Sequence, residues 1–336
     1  MMSARSKKLI NRPSDILTEM LEGFALAHPD IVRLTDSGLI VRARPKQQGR
    51  VGLVIGNGSG HEPAMIGLVG EGLFDVNVPG PIFTAPGPDR IVEGIRLANR
   101  GAGVLLCVSH HAGDRMNAEI ALDLCAAEGI GSVEMVLLYD DVSSAPRGSE
   151  PERRGTAGLF FTWKMLGAYA ETGASLSEVK AMAERIRDNT RTLAVALTPG
   201  TNPVTGHVMF ELPEDEIEVG MGVHGEVGRG RSKLVSADAT IDLMLPQIIE
   251  DLPFRSGDEV LVMLNNSGSM TQMELFILYR QVSRRLGELG IVVAGSWIGP
   301  YATTQEMAGF ALSLCRVDDS LKQLWAAPAH GAYCRF

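Results

Sequence analysis

Apolar residues in this chain fall into two spacings, and the alternation between them predicts strands and helices in succession. Strand-like runs recur at 51–55, 104–108 and 133–138, and the first reads as a buried strand. Ser14 and Asp15 can cap a helix in which Ile16, Leu17, Met20, Leu21 and Phe24 recur at helical spacing. A helix is also expected over 117–128, with Ile120, Leu122 and Leu124 inside it. This gives a strand–helix–strand rhythm and hence a sheet covered by helices. Ser175 and Glu178 make a capping box opening a helix through Ile186.

A second series of strands is expected at 193–197, 217–223, 259–264, 291–296 and 310–316, with helices at 240–249 and 272–286. Pro246 should kink or end the first of these helices, and Gly287 is a stop for the second. The expected fold class is α/β, with two α/β domains, each a sheet flanked by helices. Residues 1–185 would form the N-terminal domain and 186–336 the C-terminal one, with the seam in the helical stretch 160–188. There is no internal repeat or low-complexity segment.

Composition narrows the function. At 45% apolar residues and 38 glycines in 336 positions, the chain suits a globular α/β enzyme. A net charge of −9 disfavours a nucleic-acid partner, because binding phosphates needs clustered lysine and arginine. Arg5, Lys7, Lys8 and Arg12 are too few and too local to reverse that. No apolar run approaches the roughly 18 residues of a membrane helix, and residues 1–15 lack the apolar core of a signal peptide. The expectation is a soluble, cytoplasmic protein. Cys107, Cys125, Cys315 and Cys334 are scattered without a C-x-x-C pair; the first three lie in apolar stretches and are expected to be buried thiols.

Three loops carry candidate chemistry, each after an expected strand, where open α/β sheets place their ligands. The first is Gly56-Asn57-Gly58-Ser59-Gly60-His61-Glu62-Pro63. Its glycines allow close backbone approach, but the spacing matches neither G-x-x-x-x-G-K-[ST] nor G-x-G-x-x-G. The second is Ser109-His110-His111-Ala112-Gly113-Asp114, and the third Gly220-Met221-Gly222-Val223-His224-Gly225-Glu226. With glycines around it, His224 can be approached closely, and a neutral imidazole is a competent nucleophile toward a ketone. His224 and His61 can equally be loop histidines held by hydrogen bonds. Asp114 can accept a hydroxyl proton or cap a helix beginning near Met116. Adjacent side chains at His110 and His111 point apart in a strand-like segment, so no metal site is expected.

Together these segments resemble the substrate-binding subunit of the dihydroxyacetone kinase family. That family carries a G-G-G-S-G-H-E-P loop, a G-D loop and a G-x-G-[IV]-H-G-E loop in this order, matched here at 56–63, 113–114 and 220–226. Flanking agreement includes Lys8-Leu9-Ile10-Asn11, Pro79-Gly80-Pro81-Ile82-Phe83-Thr84, Arg154-Gly155, Asn265-Asn266-x-Gly268 and Trp325-Ala-Ala-Pro328. The likeness spans nearly the whole chain.

The resemblance implies that His224 binds a ketone covalently as a hemiaminal, which selects short-chain ketoses and aldehydes over polyols. It implies that Asp114 takes the proton of the attacking hydroxyl. Substrate contacts would come from Gly58, Ser59, Gly60, His61, Ser109, Asp114 and His224. The family carries ADP or ATP with Mg on a separate helical subunit or an extra C-terminal domain; this chain is expected to bind no cofactor and no metal itself. A nucleotide-carrying partner is therefore implied, recharged by a phosphotransferase-system protein or by ATP, and the chain alone is expected to phosphorylate nothing. A homodimer is implied as well.

Two positions depart from the family pattern. Its K-N-Y-x-G-D is Ser109-His110-His111-Ala112-Gly113-Asp114 here, and one loop glycine is Asn57. The expected sugar is dihydroxyacetone or a larger ketose such as erythrulose or a branched pentulose. The alternative reading is a non-catalytic sugar sensor acting as a transcriptional co-activator. A dehydrogenase is disfavoured, because no acidic residue stands at the ribose-binding distance in the expected frame.

Overall fold

In the computed structural model, residues 6–335 are described, and Arg5 lies outside them. They form two compact α/β units, each built on a six-stranded sheet. The chain is divided differently from the single cut expected near 185. Among the described residues, one unit comprises 10–138, 160–187 and 323–335; the other comprises 6–9, 139–159 and 188–322. The physical reason lies in the ladders. Asp141 bridges Thr192 and the Val142 amide donates to the Thr192 carbonyl at 3.0 Å, which draws 139–159 away from the first sheet.

The unit holding Ile10–Leu138 begins with α1 (Ile16–Ala27), β1 (Val32–Leu34) and β2 (Ile40–Arg42). Next come β3 (Gly52–Ser59), β4 (Gly70–Glu71), β5 (Val76–Ile82), α2 (Pro88–Ala98), β6 (Val104–Ser109), α3 (Ala112–Ala127) and β7 (Val133–Leu138). Two helices, α4 (Leu159–Ala170) and α5 (Leu176–Asp188), complete it. The strand order is β1-β2-β5-β3-β6-β7, with β5, β3, β6 and β7 parallel. Every residue of β3 and β6 is buried, as their unbroken apolar runs require. Val54, Leu106 and Val78 pack with Ile91, Ile95 and Ala118, so one face of the sheet is covered by α2 and α3. The capping box at α5 is present: the Ser175 amide donates to Glu178 Oε2 at 2.8 Å.

The second unit runs through β8 (Thr190–Thr198), β9 (Glu216–Val219), β10 (Gly230–Lys233), α6 (Ala237–Asp251) and β11 (Glu259–Asn266). It continues with α7 (Gln272–Glu288), β12 (Val292–Gly299), β13 (Ala308–Val317) and α8 (Asp319–Ala326). Its order, β10-β9-β8-β13-β11-β12, is antiparallel except for β11 with β12. The core joins Leu193 and Val195 to Ile241, Met244, Leu245 and Ile248 of α6, and to Leu275, Leu278 and Val282 of α7. That packing carries α6 on past Pro246 to Asp251, so the helix does not end at the proline. Asp251 is held between two buried arginines, Arg153 at 2.6 Å and Arg191 at 2.5 Å. A last short strand, β14 (His330–Gly331), pairs with β4 and returns the chain to the first unit.

All four cysteines are buried free thiols, and burial pushes Cys315 and Cys334 up to about 12. Among the described residues no helix is long and apolar enough to cross a membrane.

Candidate functional site

The glycine loop begins inside β3, further back than a simple strand-to-helix turn would place it. Gly56, Asn57 and Gly58 still pair with Val78, Pro79 and Gly80 of β5. The two backbones then close on one another: a Cβ on Gly58 would lie 2.6 Å from the Thr84 amide nitrogen. Only glycine fits there. The Ser59 hydroxyl donates to the Gly80 carbonyl at 2.8 Å, which fixes the loop from the β5 side.

Gly60 takes a left-handed φ of +105° against the Phe83 ring, and this turn delivers His61. The imidazole is buried, its ring centroid 5.0 Å from that of Phe83. Glu62 accepts from the Gly60 amide at 2.9 Å. Burial pushes its carboxyl up from the ordinary value, and the Gly60 amide opposes the rise.

On the neighbouring strand, β6 ends at Ser109, and the chain enters α3 at Ala112 with His111 as its N-cap residue. The helix thus starts four residues before Met116. Asp114 is therefore not its N-cap, and that alternative falls. Its carboxylate lies in the first turn, where the partial positive charge of the helix terminus favours an anion, and it is 7% exposed. Ser109 is buried too. The first unit thus carries His61, Ser109 and Asp114 at the C-terminal ends of the parallel strands β3 and β6.

His224 belongs to the other unit. The strand expected over 217–223 stops at Val219, because Gly220 adopts a φ of +83° and the chain turns away. The turn is closed by the Gly222 amide donating to the Glu226 carbonyl at 2.8 Å and the Gly225 amide donating to Gly222 at 3.1 Å. Arg154 anchors its base, bonding the Gly220 carbonyl at 3.1 Å and Asp141 at 2.7 Å. Within the turn, Glu226 Oε2 accepts the His224 amide at 2.8 Å and Oε1 stands 2.9 Å from His224 Nδ1. Burial would raise the Glu226 carboxyl, but the bond to the His224 ring, its charge and the turn amides hold it well below the ordinary carboxylate range. An ionised carboxylate only accepts, so Nδ1 carries a proton toward it, and in the neutral form of the ring Nε2 bears the lone pair.

Glu226 in this orienting position is a candidate site residue that the sequence reading did not single out. The only signal was an H-x-E spacing inside a glycine turn. Arg154 and Asp141, which brace the turn from a distant segment, left no local signal.

Residues 22–333 match the Dak1 domain, and the chain belongs to that family, as a substrate-binding subunit of the DhaK kind. It is 40% identical over 313 residues to the dihydroxyacetone-binding subunit DhaK of PTS-dependent dihydroxyacetone kinase 1 from Listeria innocua, covering 93% of this chain and 95% of the relative. It is 39% identical to the L-erythrulose kinase of Pectobacterium atrosepticum over 96% of this chain, which spans 55% of that enzyme. Among solved structures, the dihydroxyacetone kinase operon co-activator Dha-DhaQ superposes with a TM-score of 0.86 at 30% identity, covering 92% of this chain and 95% of that one.

Proposed function

We propose that this chain is the substrate-binding subunit of a short-chain ketose kinase, and that it traps the ketone as a hemiaminal on His224. The observation carrying the reading is the pairing of His224 with Glu226. With the proton on Nδ1, the Nε2 lone pair forms a bond to the carbonyl carbon while the C=O π electrons move to oxygen, which takes up a proton from solvent water. The ring gains positive charge in that step, and the Glu226 carboxylate 2.9 Å from Nδ1 offsets it. A polyol offers no carbonyl to attack.

His61 and the Gly58 backbone hold substrate hydroxyls, and Asp114 accepts the proton of the terminal hydroxyl as its oxygen attacks phosphorus. Fixing the sugar at one carbon while aiming its hydroxyl lowers the entropic part of the barrier. The nucleotide, ADP or ATP with Mg, resides on a partner subunit, which supplies the phosphoryl group and its charge neutralisation. The relative from Listeria innocua being named as one subunit of a PTS-dependent kinase supports this division. A cytoplasmic homodimer is part of the same reading. The sugar is dihydroxyacetone or a larger ketose, as erythrulose kinases also share this domain.

Purification with a nucleotide-carrying partner and assay across ketoses tests the proposal. Phosphorylation of a ketose, absent with glycerol, is expected; turnover of glycerol at equal rates would contradict it. A second reading, a sugar-sensing co-activator, is favoured by the similarity to Dha-DhaQ. A sensor needs a residue like His224 but not a base like Asp114, so transfer activity separates the two.

A further inference from the structure

The amide of Asn57 is buried at the sixth position of β3, and among the described residues nothing donates to its Oδ1. The residue is only 6% exposed. An unsatisfied carbonyl in such a place costs about 1–3 kcal/mol, so the fold alone gives no reason for an asparagine here. The adjacent strand supplies the context. β3 and β6 run parallel with Ile55 opposite Cys107, and two further residues along each strand lead to Asn57 and Ser109. The ladder itself ends at Ile55 and Cys107, and strand alternation directs the Asn57 and Ser109 side chains to the same sheet face on neighbouring strands. That is the face opposite α2 and α3, which pack on Val54 and Leu106. Both residues lie at the strand ends that carry His61 and Asp114.

We propose that Asn57 and Ser109 together bind a hydroxyl that a triose lacks, so that the sugar is a ketose of four or more carbons. The assignment rests on the ketose-binding reading above. One ligand hydroxyl can donate to Asn57 Oδ1 while accepting from the Ser109 hydroxyl. A half-turn of the amide exchanges its oxygen for its nitrogen and accommodates the opposite polarity. Neither group carries charge, which suits a neutral sugar. Ser59 does not compete for the role, because its hydroxyl is engaged by the Gly80 carbonyl. Dihydroxyacetone, with only the hydroxyls flanking its carbonyl, leaves the amide unpaired. A site built to hydrogen-bond a hydroxyl discriminates strongly against an analogue without it.

The experiment is calorimetric binding of erythrulose and dihydroxyacetone to the full chain, with Asn57→Gly and Ser109→Ala as variants checked for intact thermal unfolding. The wild type is expected to prefer erythrulose by about tenfold or more, and each variant to lose most of that preference. Two variants on different strands keep the test valid if one misfolds. A wild-type preference for dihydroxyacetone, or a preference for erythrulose untouched by either variant, overturns the assignment. Failure of the wild type to bind either sugar overturns the ketose-binding reading itself, and this assignment with it.

Discussion

Nδ1 of His224 stands 2.9 Å from Oε1 of Glu226, two residues further along the same glycine turn. The carboxylate also accepts the His224 backbone amide, so ring and backbone are held by one group. Glu226→Gln keeps the shape but presents a neutral amide. A hydrogen bond to a charged group contributes about 1.5–3 kcal/mol, so ketose affinity should fall roughly 10- to 100-fold. Calorimetry on the variant checks this, and unchanged affinity would remove Glu226 from the mechanism.

Asp114→Asn should bind ketose almost normally yet lose phosphoryl transfer by about 10²- to 10⁴-fold, the usual contribution of a positioned base. Separate measurement of sugar binding and of turnover with the partner subunit distinguishes the two. Full turnover would exclude Asp114 as the base.

Gly58→Ala should damage the loop in which His61 sits. The added methyl would lie 2.6 Å from the Thr84 amide nitrogen and 3.0 Å from its carbonyl oxygen. Both are backbone atoms that cannot swing aside, so a loss of about 1–3 kcal/mol in stability is expected by denaturant unfolding. Weakened ketose binding should accompany it.

Asp140 governs a pH dependence. Burial pushes its carboxyl up to about 6, although Thr192 and Thr156 donate to it and oppose the rise. A carboxyl whose pKa is raised on folding contributes stability that is fully present below its unfolded value and lost as pH climbs through the folded one. Relative to Asp140→Asn, the wild type should therefore lose on the order of 3 kcal/mol between about pH 4 and pH 7. Urea unfolding of both proteins across that range gives the comparison, and a flat difference would contradict it.

The central strands were legible because burial on both faces leaves a continuous apolar run, as at the start of β3 and in β6. β5 was not, since Pro79, Gly80 and Pro81 interrupt it, and that stretch is held extended by its pairing with β3. The early start of α3 was hidden for a related reason: His111 to Asp114 carries no apolar periodicity. Pro246 misled in the opposite direction, because tertiary packing of Met244, Leu245 and Ile248 overrode a local preference.

The interleaving of the units could not be read from the sequence. It is set by contacts between segments far apart in the chain, such as the bridge between Asp141 and Thr192, 51 positions apart by their numbering. Of the candidate site, the glycines and histidines stood out as unusual local composition. What escaped was the pairing of His224 with Glu226, which exists only once Gly225 takes a φ of +86° and folds the turn back.

The central claim is that Nε2 of His224 binds the ketone covalently. The direct measurement is carbon NMR of the protein with dihydroxyacetone or erythrulose labelled at the carbonyl carbon. The account predicts a protein-bound resonance in the tetrahedral-carbon region that disappears in His224→Ala. A bound sugar that keeps its ketone resonance, or a tetrahedral signal that survives in His224→Ala, would contradict it.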